Sequence, residues 1–119
     1  GIDLSGAAIE SARQQSFARA QFVVGDVMTA DLGRSAFDVV VLNEVLYYAP
    51  DATAFLERIR ALLNEDGSVV ISMWRHPGDR TLWKAVDTVF RVVDRVEIRN
   101  RANSVNPRGW IVACCRARN

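Results

Sequence analysis

The stretch that decides the fold is residues 37–48, Phe37-Asp38-Val39-Val40-Val41-Leu42-Asn43-Glu44-Val45-Leu46-Tyr47-Tyr48. Its apolar run does not alternate with polar residues, and this pattern predicts a strand covered on both faces, as in a parallel α/β sheet. Polar residues follow at once, because Asn43 and Glu44 come directly after Leu42. Ligands bind at the carboxyl ends of strands in open α/β sheets. The end of this strand is therefore a candidate binding site.

The sequence on either side predicts further strands and helices in alternation. Before the central strand we expect the end of a strand at residues 1–3, a helix over 6–19 that begins at the N-cap Ser5, and a short strand over 22–24. After it we expect a helix over 51–63, a strand over 68–74 and a short helix over 80–88. Gly67, between the helix and the strand, is predicted to adopt a left-handed turn.

The pattern changes near the carboxyl terminus. From Phe90 to Arg101 apolar and charged residues alternate, which is typical of a half-exposed antiparallel strand. A turn-rich connection over 103–109 leads to a strand over 110–116 that can pair back as a hairpin. The prediction is one α/β domain with a mostly parallel sheet and a C-terminal antiparallel hairpin.

Composition excludes several classes of protein. The chain has 119 residues, 50% hydrophobic and 24% charged, with a net charge of +1. These values suit one globular domain and argue against disorder and against a dedicated nucleic-acid binder. No apolar run approaches the roughly 20 residues of a membrane span, and no leader is recognised, so we expect no membrane partner and a cytoplasmic location. The adjacent Cys114 and Cys115 and the single His76 predict neither a disulfide nor a metal site.

Polar residues end two further strands as well. The Asp3 carboxylate can accept both hydroxyl groups of a ribose. Gly25 allows a close backbone approach, and Asp26 can accept from an exocyclic amine such as that of adenine. Each feature alone is more often structural, as a charge at a helix start or a common turn. Their occurrence at three successive strand ends, with Asn43-Glu44, predicts a nucleoside site.

These residues together resemble class I S-adenosylmethionine-dependent methyltransferases. The resemblance rests on the segments 1–5 and 37–48, on Gly25-Asp26, and on Gly67 four residues after Leu63. A narrower similarity, to the NodS-like N-methyltransferases, rests on the run from Glu44 to Tyr48. The resemblance implies a Rossmann-like methyltransferase sheet, S-adenosyl-L-methionine as the cofactor, and methyl transfer to a small-molecule acceptor.

The resemblance also implies roles for individual residues of the cofactor site. Asp3 would hold the ribose of the cofactor, and Leu4 would pack on the adenine face. Asp26 would meet the adenine amine, with Val27 beside it. Asn43 would contribute its backbone carbonyl near the methionine part.

Four residues are candidates for the acceptor side of the site: Glu44, Tyr47, Tyr48 and His76. His76 titrates near neutral pH and could act as a base if the acceptor arrives protonated. A solvated loop histidine is the commoner case, and a tyrosine is more often a packing residue. No catalytic residue is assigned.

The chain departs from the family at its amino end. The family's first strand and Gly-rich loop come before the acidic residue, whereas this sequence begins close to Asp3. We therefore expect a partial domain over 1–119, incomplete at the N-terminus, whose exposed strand edges are completed by an N-terminal segment or by a homodimer. Two alternatives remain open: a non-catalytic methyltransferase-like module that acts through protein contacts, and an NAD-dependent oxidoreductase, whose ribose an acid at a strand end also fits.

Overall fold

The computed structural model describes residues 1–100 and 109–118. The chain divides into two compact units, Gly1–Leu32 (unit 1) and Gly33–Asn119 (unit 2). The strands of the described part are β1 (Ile2–Asp3), β2 (Val23–Val24), β3 (Phe37–Asn43), β4 (Leu63–Trp74), β5 (Phe90–Arg99) and β6 (Gly109–Ala117). Its α-helices are α1 (Gly6–Gln14), α2 (Ala52–Leu62) and α3 (Asp79–Val89), and a 3₁₀ turn covers Leu46–Tyr48.

Unit 1 is a small β-α-β arrangement. β1 and β2 pair in parallel, with Ile2 opposite Val23 and Asp3 opposite Val24. The helix between them begins as predicted, because the Ser5 hydroxyl accepts from the amide of Ala8 at 3.1 Å. These short strands leave most of the unit's residues half-buried or exposed.

The predicted extent of the first helix is wrong, since α1 ends at Gln14 and not at residue 19. The amides of Gln15 and Ser16 bond to carbonyls three residues back, at Ala12 and Arg13, which tightens the last turn. Ser16 then adopts a left-handed backbone with φ 54°. A left-handed residue at this point ends the helix.

Unit 2 contains a four-stranded sheet in the order β3-β4-β6-β5. β3 runs parallel to β4, while β6 is antiparallel to both β4 and β5. The predicted parallel pair followed by a C-terminal antiparallel hairpin is therefore confirmed. The connection over 103–109 falls outside the described residues apart from Gly109, the first residue of β6.

The core of unit 2 lies on one face of this sheet. Alternate residues of β4 and β6 are buried there: Val69, Ile71, Met73, Ile111, Ala113 and Cys115. α2 packs against α3, α2 also contacts β4, and α3 contacts β5. The helices add the buried Leu56, Ile59, Val86 and Val89. Apolar burial of this kind, at roughly 25 cal/mol per Å², holds the sheet and the helices together.

The prediction that the central strand is covered on both faces is wrong. In β3 Leu42 is buried, but Val39 and Val41 are 54% and 62% exposed. β3 pairs with β4 only, within the described residues, and it ends the four-stranded sheet. Leu42 points to the core face, while Val39 and Val41 project from the opposite face. Completion of the sheet by another strand stays a prediction.

Two further predictions about unit 2 need correction. β4 starts at Leu63, directly after α2, and Gly67 lies inside it without a positive φ. A Cβ at Gly67 would stand 2.9 Å from the Leu63 Cβ and 3.0 Å from the Asn64 carbonyl oxygen. Close packing, and not a left-handed turn, is what requires glycine here.

The predicted half-exposed pattern of β5 is also wrong. Beyond Phe90 every residue of this strand is exposed, including the apolar Val96 at 54% and Ile98 at 50%. The strand lies at an edge of the sheet, and its register shifts between Val92 and Asp94. The periodicity of the sequence predicted the strand but not its place at the edge.

Two features are absent from the described residues. No helix of the described part is long and apolar enough to cross a membrane. The same residues contain no group of three or more side chains suited to holding a metal ion.

Candidate functional site

The predicted site residues fall into two groups, one in each unit. Asp3, Leu4, Asp26 and Val27 belong to unit 1, and the group in unit 2 consists of Asn43, Glu44, Tyr47, Tyr48 and His76.

Asp3 is the last residue of β1, and its side chain is exposed. One carboxylate oxygen, Oδ1, accepts from the Ser5 amide at 2.7 Å and fixes the carboxylate at the start of α1. The other oxygen has no partner among the described residues. Leu4, the next residue, is 75% exposed. Unit 1 therefore presents an acceptor oxygen beside an apolar side chain at the end of this strand.

Asp26 lies two residues beyond the end of β2. Its Oδ1 accepts from the Met28 amide at 2.8 Å, and its carbonyl accepts from the Ala30 amide at 2.8 Å, so a tight turn holds it. The Gly25 amide donates to the Asp3 carbonyl at 2.9 Å, which joins the ends of the two strands. Asp3 and Asp26 thus lie at the carboxyl ends of neighbouring parallel strands, as the sequence predicted. Val27 is half-buried beside Asp26.

In unit 2, Asn43 is the last residue of β3 and pairs with Ser72 of β4. The pairing continues one residue further, because the Glu44 amide donates to the Ser72 carbonyl at 3.0 Å. Glu44 then turns the chain with φ 57°, the left-handed region that residues with a Cβ seldom adopt. Strained backbone of this kind clusters at functional sites.

The Glu44 side chain is the centre of a hydrogen-bonded cluster. Its Oε1 accepts from the Ser72 hydroxyl at 2.7 Å. Its Oε2 accepts from the Trp74 amide at 3.1 Å and from the Tyr47 hydroxyl at 3.0 Å. Burial, together with the bond to Glu44, raises the pKa of Tyr47 to about 12. Tyr47 is therefore a neutral phenol at physiological pH.

Aromatic rings complete this cluster. Tyr48 meets Tyr47 edge-on with ring centroids 4.6 Å apart, and His76 meets Tyr47 edge-on at 5.8 Å. The Nδ1 of His76 accepts from the Gly78 amide at 3.1 Å, so the neutral ring carries its hydrogen on Nε2. That nitrogen is buried and has no partner among the described residues. We name Glu44, Tyr47, Tyr48, Ser72, Trp74 and His76 the Glu44 cluster.

Sequence reasoning brought Glu44, Tyr47, Tyr48 and His76 to one place but missed Ser72 and the Trp74 amide. Ser72 lies in a β-rich run whose neighbours, Ile71 and Met73, are apolar and buried. The only indication in the sequence was that Ser72 is a polar residue near the carboxyl end of the second parallel strand. The parallel register that sets Ser72 opposite Asn43 cannot be read from the sequence.

Comparison with known proteins identifies the family. The sequence matches the methyltransferase-domain family over residues 1–106. The chain belongs to this family. Membership confirms the resemblance to class I S-adenosylmethionine-dependent methyltransferases. A search of curated proteins gave no match.

Solved structures share the fold at low sequence identity. The N-methyltransferase NodS from Bradyrhizobium japonicum WM9, in complex with S-adenosyl-L-homocysteine, superposes with a TM-score of 0.80 at 19% identity over 99% of this chain and 65% of that one. The 1,6-didemethyltoxoflavin-N1-methyltransferase from Burkholderia thailandensis gives 0.78 at 24% identity, over 99% and 60%. A TehB-like methyltransferase from Corynebacterium glutamicum gives 0.71 at 22% identity, over 99% and 67%. The chain thus spans only 60–67% of the length of these relatives.

Proposed function

We propose that this chain carries out S-adenosylmethionine-dependent methyl transfer to a small-molecule acceptor. Unit 1 binds the nucleoside end of the cofactor, with Asp3 on the ribose and Asp26 on the adenine amine. Leu4 and Val27 supply apolar contacts to the adenine. Unit 2 binds the acceptor through the Glu44 cluster.

One observation carries this proposal. The carboxylates of Asp3 and Asp26 lie at the carboxyl ends of neighbouring parallel strands, and in each a backbone amide holds one oxygen. The second oxygen of each has no partner among the described residues and can accept a hydrogen bond from a ligand. A ribose diol and an exocyclic amine are both hydrogen-bond donors, so the residues present fit an adenosine group. Each charge-assisted bond of this kind contributes on the order of 1.5–3 kcal/mol.

The methyl-transfer step itself requires few chemical groups from the protein. When bound, S-adenosylmethionine supplies a methyl group already activated by a sulfonium. The chain's residues therefore have to hold the acceptor in line with the methyl group. Such alignment can lower the activation free energy by roughly 7–11 kcal/mol. No protein nucleophile is required. Two relatives support this assignment, since one was solved with S-adenosylhomocysteine and another with both 1,6-didemethyltoxoflavin and S-adenosylhomocysteine.

Calorimetry with S-adenosylhomocysteine tests the proposal. We expect the full chain to bind S-adenosylhomocysteine in preference to NADH. Asp3→Asn and Asp26→Asn keep the amide-accepting oxygen but lose the charge, and each should weaken binding about tenfold or more. Glu10→Gln, an exposed charge change in the same unit, is the matched control and should bind as the unsubstituted chain does.

Three results would count against the proposal. Preferential binding of NADH would favour the oxidoreductase class. Binding of neither ligand at millimolar concentration by a folded chain would favour the non-catalytic module. Unchanged affinity in both aspartate variants would remove these residues from the site.

A further inference from the structure

Both oxygens of the Glu44 carboxylate accept hydrogen bonds from its own protein. Ser72, Trp74 and Tyr47 donate three hydrogen bonds to its two oxygens. The left-handed backbone at Glu44 costs free energy for a residue with a Cβ and persists only where the surroundings hold it. The cluster thus fixes one carboxylate in one orientation. A group held in this way is suited to orienting its neighbours.

The neighbour that Glu44 orients is Tyr47. A phenol has one hydrogen, and Tyr47 donates it to Glu44, so the Tyr47 oxygen can only accept further hydrogen bonds. The raised pKa keeps that hydrogen in place at neutral pH. A donor in a chain of hydrogen bonds becomes a better acceptor, because each bond polarises the next. Tyr47 therefore presents an electron-rich oxygen to any nearby N–H or O–H group.

The aromatic contacts fix the ring that carries this oxygen. His76 and Tyr48 both meet the Tyr47 ring edge-on, at 89° and 62°. Tyr48 itself is 77% exposed and offers an apolar surface next to Tyr47. A small organic molecule that packs on Tyr48 would have its polar group within reach of Tyr47.

Resting on the proposed methyl transfer, we infer that Glu44 is a positioning residue that holds the Tyr47 hydroxyl, so that the phenol oxygen accepts a hydrogen from the nucleophilic N–H or O–H group of the methyl acceptor. In the transfer, the lone pair of the nucleophile forms the bond to the methyl carbon. The bond between methyl carbon and sulfur breaks, and its electron pair stays on sulfur. The nucleophile keeps its hydrogen, takes up the positive charge and loses the proton to water afterwards.

This arrangement favours the transition state over the ground state. The N–H or O–H group becomes a stronger donor as positive charge develops on the nucleophile. The hydrogen bond to Tyr47 therefore strengthens during the reaction, and only interactions that strengthen in this way raise kcat. Removal of one such preorganised group typically lowers kcat by about 10²-fold or more. The acceptor class that follows is a small molecule whose nucleophile carries a hydrogen.

The test uses the full chain and measures release of S-adenosylhomocysteine. The probes are small secondary amines, the matched tertiary amines without an N–H, and small phenols, so that the amine and hydroxyl arms are read separately. On the best probe we expect Tyr47→Phe and Glu44→Gln each to lower kcat by about 10²-fold, with the KM for S-adenosylmethionine unchanged. Glu57→Gln, an exposed Glu-to-Gln change on α2, is the control and should keep full activity.

The double variant separates positioning from a merely structural role. If Glu44 acts through Tyr47, Glu44→Gln should lower kcat little further in the Tyr47→Phe background. In the proteins that retain Tyr47, absorbance at 295 nm should show that Glu44→Gln lowers the pKa of this tyrosine, which verifies the contact in solution. Equal losses from Glu44→Gln in both backgrounds would overturn the inference.

The other outcomes are also decisive. Equal rates for secondary and tertiary amines, with full activity in Tyr47→Phe, would show that no hydrogen bond to the acceptor is made. A chain that binds S-adenosylhomocysteine but methylates no probe overturns this inference and leaves the cofactor assignment intact. A chain that neither binds S-adenosylhomocysteine nor transfers a methyl group removes the proposed function and the inference with it.

Discussion

The left-handed backbone at Glu44 reverses the usual effect of glycine and alanine on stability. Here we expect the glycine variant to be more stable than the alanine variant. Glu44→Ala and Glu44→Gly both remove the three hydrogen bonds that the carboxylate accepts. Bonds to a charged group contribute about 1.5–3 kcal/mol each when buried, and water can replace part of them at this half-buried site. We therefore expect either variant to lose roughly 2–3 kcal/mol of unfolding free energy from this cause.

The difference between the two variants isolates the backbone. At φ 57° a Cβ costs roughly 1–2 kcal/mol, a cost that the Glu44→Gly variant avoids and the Glu44→Ala variant retains. Glycine also makes the unfolded chain more flexible, which costs about 0.4–1 kcal/mol. The net expectation is that Glu44→Gly is more stable than Glu44→Ala by about 0.5–1 kcal/mol.

The assay is urea unfolding of the full chain followed by tryptophan fluorescence. All three tryptophans lie in unit 2, so the signal reports on the unit that contains Glu44. The matched control is Glu57, inside α2, where the alanine variant should be more stable than the glycine variant by about 1 kcal/mol. Unchanged m-values would show that the variants differ in stability and not in compactness. If alanine is the more stable replacement at both positions, Glu44 is not left-handed in solution, and the geometry of the Glu44 cluster is refuted.

Three further predictions concern unit 2. Gly67→Ala should cost about 1–3 kcal/mol of stability because its Cβ meets backbone and side-chain atoms at 2.9–3.0 Å. Gly109→Ala is the control and should be near neutral, because the nearest neighbour of its Cβ is at 3.4 Å. Equal urea midpoints for the two variants would contradict this prediction. The pKa of Tyr47, about 12, lies above its ordinary value of 10.0. The stability that Tyr47 contributes is therefore complete below pH 10 and is lost as the pH rises towards 12. Alkaline titration followed by absorbance at 295 nm should show a late phase that Tyr47→Phe abolishes. Burial raises the pKa of the Cys115 thiol to about 12, so a thiol reagent should label Cys114 in the folded chain and Cys115 only after unfolding; rapid labelling of both would show that β6 opens readily.

How far the sequence predicted the structure depends on which interactions decide each feature. Local signals predicted well: the Ser5 cap, the apolar stripe of α2 and the period-two pattern of β5 each located an element. Features set by distant contacts were wrong, as with the exposed face of β3 and the close packing around Gly67. A strand's own residues do not say how many neighbours it has. The exposure of Val39 and Val96 depends on what packs over each face of the sheet, and no local pattern encodes this.

The candidate site likewise contains features set by local patterns and features set by distant contacts. Strand ends can be predicted from local patterns, and Asp3, Asp26 and Asn43 stand where the sequence placed them. What the sequence could not predict is that Glu44 turns its carboxylate back onto β4, since this depends on the parallel register and on a left-handed backbone. In this conformation the Glu44 carboxylate accepts hydrogen bonds from Ser72, Trp74 and Tyr47. This arrangement therefore favours a positioning role for Glu44 and supports the inference that Tyr47, held by Glu44, meets the acceptor.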